Sequence, residues 1–159
     1  MKIIAVIPAR MGSSRFPGKP LAPILGRPMI EHVYKRTALS PMLEGVYMAT
    51  CDQEIMDATK AFGGQAIMTA DTHTRALDRV AEAAEKCGEE VADNDIVVCV
   101  QGDEPLLGPD MIEAVVKPFD DDPSVEGTML SVPISDAEMF LNPNIVKLVH
   151  DARGNVLFT

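Results

Sequence analysis

Short apolar runs alternate along this chain with longer segments of helical periodicity. The runs at 3–7, 45–50 and 95–101 are rich in β-branched or other apolar side chains, as expected of buried strands. A shorter run occupies 65–68. Between the runs, apolar residues recur three and four positions apart, which predicts helices over 28–39, 53–62 and 76–87. Such alternation predicts βαβ units, and therefore an α/β fold whose mainly parallel sheet is flanked by helices.

The remaining segments complete this prediction. Asp52 stands where the second helix would be capped. Further helices are predicted over 109–116 and 136–140, and further strands over 127–134, 144–150 and from 155 onward. Because the chain ends inside an apparent strand, we expect a single domain over 1–159 that lacks its C-terminal portion.

Composition excludes several classes of protein. The chain has 159 residues, 47% of them hydrophobic, which is enough for a real core. No apolar run is long enough to cross a membrane, so we expect no membrane partner. The cysteines, Cys51, Cys87 and Cys99, have neither zinc-site spacing nor the pattern of a disulfide framework, which favours the reducing cytoplasm.

The charge is distributed unevenly. The net charge of −10 argues against a nucleic-acid partner. Residues 1–36 nevertheless hold seven of the 14 basic residues and a single acid, Glu31. A local cationic site in an acidic protein favours a small anionic ligand.

Three of these seven basic residues lie in one loop, residues 8–21, which follows the first predicted strand and is called the cationic loop below. Arg10, Arg15 and Lys19 provide positive charge, and Gly12 and Gly18 allow a ligand to approach the backbone closely. Ligands bind beyond the carboxyl ends of strands in open α/β sheets, so this loop is equipped to hold a triphosphate. It is not a Walker A motif, because Lys19 is followed by proline. The alternative is a turn shaped by glycine and proline, with solvated cations.

A second candidate site is the acidic turn, residues 101–105, which follows the most apolar predicted strand. Gly102 permits a tight bend, and Asp103 would lie near the same edge of the sheet as the cationic loop. A carboxylate that faces bound phosphates is a natural Mg²⁺ ligand. The alternative is a solvated acidic turn.

Several stretches resemble sugar nucleotidyltransferases. The first, PARMGSSRFPGKPLAPILGRPMIEHV, begins at Pro8 and is similar to the nucleotide loop that several such enzymes share. The others are VQGDEPL, the short VPI and NPNIVKLVHDARGNVLF. Together they resemble one branch, the 3-deoxy-manno-octulosonate cytidylyltransferases or CMP-Kdo synthetases, over their N-terminal two-thirds. This resemblance implies a Rossmann-like nucleotidyltransferase fold, that of the nucleotide-diphospho-sugar transferases.

The resemblance also implies an activity. CMP would pass from CTP to the anomeric hydroxyl of Kdo, a 2-keto-3-deoxy sugar acid, with release of pyrophosphate. This reaction would serve the synthesis of lipopolysaccharide or another surface polysaccharide. The implied cofactor is Mg²⁺, and the implied partners are CTP, the keto-sugar acid and a second subunit in a homodimer of the full-length enzyme.

The same resemblance assigns roles to individual residues. Arg10, Lys19 and Asp103 would be catalytic, with Asp103 as the Mg²⁺ ligand, and Gln101 would reach toward the sugar. The nucleotide would be held by Pro8, Ala9, Arg10, Arg15, Lys19, Asp78 and Arg79.

The segment after His73 departs from the family pattern. Where the family has Ser-Gly-Thr, an acidic residue and Arg, this chain reads Thr-Arg-Ala-Leu before Asp78 and Arg79. The triplet 77–79 is also similar to the spore-coat polysaccharide type, so a cytidylyltransferase of that type, or one for another acidic sugar, is the enzymatic alternative. A surface charge on the helix is the alternative for Arg79.

The length of the chain also departs from the family. Family members are longer, and a Ser-Arg pair after 157–159 and a later Asp of the metal site are absent from this sequence. An inactive nucleotide-binding module is therefore the alternative outside the enzymes.

Overall fold

The computed structural model describes residues 1–12, 16–88 and 91–159. They form two compact units, residues 1–126 and 127–159. A single domain over 1–159 stays a prediction. The elements follow one another in this order: β1 (Ile3–Pro8), a 3₁₀ turn (Lys19–Leu21), β2 (Pro23–Ile24), β3 (Arg27–Pro28), α1 (Met29–Thr37), β4 (Gly45–Thr50), α2 (Gln53–Ala61), β5 (Gln65–Met68), α3 (Ala76–Lys86), β6 (Ile96–Cys99), α4 (Pro109–Asp121), α5 (Ala137–Leu141), β7 (Val149–His150) and β8 (Val156–Phe158).

A four-stranded sheet forms the centre of the first unit. Its strands lie in the order β5, β4, β1, β6, and every neighbouring pair is parallel. The strands β4 and β6 therefore flank β1 on opposite sides. This reversal of strand order opens a crevice at the carboxyl ends of β1 and β6, where open α/β sheets bind their ligands.

Helices cover both faces of this sheet because successive side chains of a strand point to opposite faces. Ala5 and Ile7 of β1 belong to the core that includes residues of α1, α2 and α4. Ile4 and Val6 belong to the core on the other face, which α3 covers. No helix in the described ranges is long and apolar enough to span a membrane.

The predicted α/β architecture is confirmed in the first unit, and the helix that begins at Pro109 is longer than predicted. That helix continues through Pro118 to Asp121 instead of ending at 116. Val115 and Phe119 pack against the core, and these contacts keep the chain helical past the proline.

The second unit has less regular structure than the sequence predicts. The strand predicted over 127–134 is wrong, because this segment has no regular hydrogen-bond pattern. Of the strand predicted over 144–150, only Val149–His150 forms, and it pairs antiparallel with Val156–Phe158. Both strands are exposed, so a stretch of apolar residues did not indicate burial here.

A short hairpin joins the cationic loop to α1. Strands β2 and β3 pair antiparallel, and both residues of the turn between them have positive φ, 50° at Leu25 and 78° at Gly26. Such turns favour Asn or Asp before Gly. A leucine pays a steric cost in this region, and because Leu25 is 95% exposed, no packing offsets that cost.

We expect Leu25→Asn to raise the free energy of unfolding by roughly 0.5–1 kcal/mol, because asparagine tolerates positive φ. Urea denaturation would measure the change. Leu39→Asn is the matched control, since Leu39 is 64% exposed and its φ is not positive. A Leu25→Asn protein no more stable than the control would contradict this account of the turn.

Candidate functional site

The acidic turn and the cationic loop meet at the adjacent carboxyl ends of β6 and β1. Directly after β6, the Val100 amide donates a hydrogen bond to the Val6 carbonyl oxygen of β1 at 3.0 Å, which continues the pairing of the two segments. A Cβ added to Gly102 would lie 2.6 Å from the carbonyl oxygen of Pro8. Only glycine fits such an approach, so Gly102 sets the distance between the two segments.

The start of the cationic loop is fixed by bonds to the neighbouring strand and helix. Ala9 donates a backbone hydrogen bond to Ala49 at 2.9 Å. The Met11 amide donates to a carboxylate oxygen of Asp52 at 2.7 Å. Asp52 occupies the predicted N-cap position of α2, although its side chain caps no amide of that helix. Its carboxylate binds the loop instead.

The far end of the cationic loop presents Lys19. Gly18 has a φ of 71°, a left-handed conformation that lets the chain turn directly into the 3₁₀ turn that begins at Lys19. Arg10 is exposed at the other end of the loop. Arg15 lies outside the described residues.

Lys19 and Asp103 join the two segments through an ion pair. The Lys19 Nζ atom lies 2.6 Å from Asp103 Oδ2, and the two side chains are 37% and 50% exposed. An ion pair this exposed contributes no more than about 1 kcal/mol. A phosphate group can therefore replace Asp103 as the partner of Lys19 at little cost.

The segment directly after the acidic turn is bound by α1. The Arg36 guanidinium donates to the carbonyl oxygens of Leu107 at 2.7 Å and Leu106 at 3.4 Å. Sequence reasoning missed Arg36, because nothing in the local pattern links it to a segment 70 residues away.

Arg79 lies on the opposite wall of the cleft, the α3 wall, which comprises residues 69–79. It is 4% exposed, so its interpretation as a surface charge is wrong. Its Nη1 atom donates to the Thr69 hydroxyl and, at 3.1 Å, to the Ala70 carbonyl oxygen. Within the described ranges, no carboxylate forms an ion pair with it.

Glu82 and His73 also belong to the contacts of this wall. The Glu82 carboxylate accepts a hydrogen bond from the ring of His73 and forms an ion pair with Lys86. It also accepts from the Ala70 amide, at 2.9 Å on Oε2. Lys86, this amide and His73, in that order, lower the pKa of Glu82 from 4.5 to about 2.

These segments enclose a cleft of about 790 Å³. Among the residues that the structure describes, four cationic side chains line it, against one carboxylate, that of Asp103. The predicted residues Pro8, Ala9 and Gln101 lie on its surface. Asp78 is exposed on α3 and is not among the lining residues. The cationic residues are Arg10, Lys19, Arg75 and Arg79.

The described residues contain no cluster of three or more His, Cys, Asp or Glu side chains arranged to hold a metal ion. Asp103 is the carboxylate that faces the cleft, and one of its oxygens is bound to Lys19. A single half-exposed carboxylate fits a magnesium ion that takes its other ligands from substrate phosphates and water.

Comparison with known proteins gives consistent matches. A family model described as cytidylyltransferase matches residues 4–159. The chain is 46% identical over 158 residues to a 3-deoxy-manno-octulosonate cytidylyltransferase of Geobacter metallireducens, covering 99% of this chain and 60% of the relative. A protein of the same name from Geotalea uraniireducens is 48% identical, with 99% and 61% covered. The chain thus spans about 60% of the length of these relatives.

Solved structures confirm the predicted nucleotidyltransferase fold. A CMP:2-keto-3-deoxy-manno-octonic acid synthetase complexed with CTP superimposes with a TM-score of 0.85 at 40% identity, covering 99% of this chain and 63% of that one. A 4-diphosphocytidyl-2C-methyl-D-erythritol synthase matches with a TM-score of 0.67 at 20% identity, over 86% and 62% of the two chains. The latter supports the fold alone.

Gly102→Ala should lower the free energy of unfolding by about 1–3 kcal/mol, because the new methyl group would force the acidic turn away from Pro8. Urea denaturation would measure it. Gly12→Ala is the control, since a Cβ there meets no atom of the described part of the chain within 4 Å. Equal losses in the two variants would contradict the close approach as the cause.

Proposed function

We propose, since the chain belongs to the cytidylyltransferase family, that it binds CTP and transfers CMP to the anomeric hydroxyl of Kdo, releasing pyrophosphate. The observation that carries this proposal is the near-complete burial of Arg79 on a cleft wall without a carboxylate partner in the described part of the chain. The product would supply lipopolysaccharide or another surface polysaccharide.

A buried guanidinium without a counter-charge is unfavourable, and an anionic or hydrogen-bond-accepting ligand removes that cost. Arg10, Lys19 and Arg75 add positive charge to the same cleft. In a chain of net charge −10, this local excess favours a compact polyanion such as a nucleoside triphosphate.

The two walls suggest how CTP lies in the cleft. Arg10 and Lys19 would neutralise the phosphates, with Arg15 in the same loop. The backbone at Pro8 and Ala9 would lie beside the cytosine, and Arg79 would contact the nucleotide from the other wall. Gln101, on the acidic turn, would contact the sugar acid. Asp78 stays a prediction, because it is exposed outside the cleft lining.

Asp103 would hold Mg²⁺ together with phosphate oxygens of the nucleotide. When bound, the metal ion would neutralise charge that develops as pyrophosphate leaves. Arg10 and Lys19 would stabilise the same charge from the cationic loop, and Gln101 would keep the sugar hydroxyl in line with the α-phosphorus. The anomeric hydroxyl releases its proton to solvent as its oxygen forms the new bond to phosphorus, and the bond to the pyrophosphate oxygen breaks.

The α3 wall supports an enzymatic alternative, a cytidylyltransferase for a different acidic sugar or of the spore-coat type. Thr74, Arg75 and Ala76 line the cleft where the resemblance departs from the Kdo pattern. Arg75 in particular gives this cleft a cation that the pattern lacks. An inactive nucleotide-binding module is the alternative outside enzymes. The homodimer stays a prediction, and we place the reaction in the cytoplasm because the three cysteines are free thiols.

Calorimetry with CTP and Mg²⁺, followed by a pyrophosphate-release assay with CTP and Kdo, tests this function. We expect CTP to bind, pyrophosphate to be released with Kdo, and release to be lost in Asp103→Asn. No CTP binding at millimolar concentration would overturn the nucleotide function. Binding without release would favour the inactive module, and release with another acidic sugar but not with Kdo would favour the alternative enzyme.

The Lys19–Asp103 ion pair generates a separate prediction about metal binding. Without nucleotide, Lys19 competes with a divalent cation for the Asp103 carboxylate. Lys19→Met should therefore raise Mn²⁺ affinity about two- to fivefold while it weakens CTP binding. Mn²⁺ titration followed by electron paramagnetic resonance would measure the first effect and calorimetry the second.

The control is Lys35→Met, because Lys35 pairs with Glu31 away from the cleft. It should change neither affinity. Weaker Mn²⁺ binding in Lys19→Met than in this control would rule out the competition.

A further inference from the structure

We propose that Glu82 is a positioning residue that holds the α3 wall in the conformation that binds the nucleotide. It acts through His73 and Ala70 and does not itself line the cleft. The inference rests on the proposed function, because it concerns the same nucleotide site.

Glu82 holds the wall at two points in the loop before α3. One carboxylate oxygen, Oε2, accepts from the Ala70 amide at 2.9 Å and from His73 Nε2. The other, Oε1, accepts from Lys86 and lies 3.2 Å from the same Ala70 amide. The carboxylate is therefore saturated by donors from the loop and from its own helix.

Arg79, one turn earlier on α3, completes this attachment. Positions three apart lie on the same helix face, so Arg79 and Glu82 both reach the loop. Arg79 donates to the Ala70 carbonyl oxygen, while Glu82 accepts from the Ala70 amide. Both peptide groups at this position are thus bound to one helix. The Thr69 amide, directly after β5, donates to the Thr50 carbonyl oxygen at 2.8 Å and so fixes the end of β5 to β4.

The part of the α3 wall that Glu82 holds leads directly into the residues that face the ligand. His73, Thr74 and Arg75 line the cleft directly after the anchored residues. Arg75 is the N-cap residue of α3, and its side chain makes no cap hydrogen bond. No such bond therefore fixes the segment where the helix begins. The position of the wall between Ala70 and α3 therefore depends on the bond between His73 and Glu82.

This bond also fixes the proton of the imidazole. A carboxylate only accepts hydrogen bonds, so Nε2 of His73 must carry the hydrogen. Because the pKa of Glu82 is lowered to about 2, its carboxylate stays ionised at neutral pH. The ring of His73 is therefore held in one orientation and, when neutral, in one tautomer.

The test compares three variants with wild type. Glu82→Ala should weaken CTP binding roughly ten- to a hundredfold by calorimetry, because Ala70 and His73 both lose a charged acceptor. Glu82→Gln keeps one carbonyl oxygen for these donors and should stay within about threefold of wild type. Glu85→Ala is the control, since Glu85 is exposed on the same helix and should leave CTP affinity unchanged.

Nitrogen-15 NMR of the imidazole gives a readout that does not depend on CTP. Wild type and Glu82→Gln should show His73 with the hydrogen on Nε2, and Glu82→Ala should show a mixture of tautomers. If Glu82→Ala does not fold, Glu82→Asp replaces it, because the shorter side chain withdraws the charge without removing it.

The outcomes separate the two proposals. A wild-type chain that binds no CTP overturns both. CTP binding by wild type with unchanged affinity in Glu82→Ala overturns the positioning role alone. Failure of Glu82→Gln to restore affinity, with an intact tautomer signal, would also overturn it, because the hydrogen bonds would then not be what matters.

Discussion

The close contact between Gly102 and the Pro8 carbonyl group brings the two halves of the cleft together. Strands β1 and β6 are neighbours in the sheet, but the segments that leave them carry opposite charges and belong to distant parts of the chain. With a side chain at position 102, these segments could not lie this close. The Lys19–Asp103 contact and the position of Gln101 both depend on this approach.

The site is assembled from pieces that are each held by a helix. Asp52, before α2, binds the cationic loop, and Arg36 of α1 binds the segment after the acidic turn. Arg79 and Glu82 of α3 bind the opposite wall. Charged side chains thus bind backbone groups of loops, where they replace the hydrogen bonds that regular structure would provide.

The local sequence pattern was sufficient to predict the sheet, because β1 and its neighbours are buried on both faces. It was also sufficient to predict the candidate loops, because these come directly after the strands in sequence. It was insufficient where long-range contacts decide. Asp52 has the sequence position of a helix cap but binds Met11, and α4 continues past Pro118 because Phe119 reaches the core. The apolar run over 127–134 forms no strand. Arg36 and Glu82 carry no local signal for their loop contacts. Arg36 binds carbonyl groups 70 and 71 residues away, and Glu82 binds an amide and a histidine ring of a loop that folding brings to it.

The attachment of Ala70 to α3 has an evolutionary consequence. The bonds that fix this wall involve backbone groups and side chains at 69, 70, 73, 79 and 82, and none of them involves the side chains at 74 and 75. Thr74 and Arg75 nevertheless line the cleft. Selection can therefore exchange these two residues to alter ligand preference while the supporting framework is inherited unchanged, which makes this short stretch a natural place for related proteins to diverge in substrate.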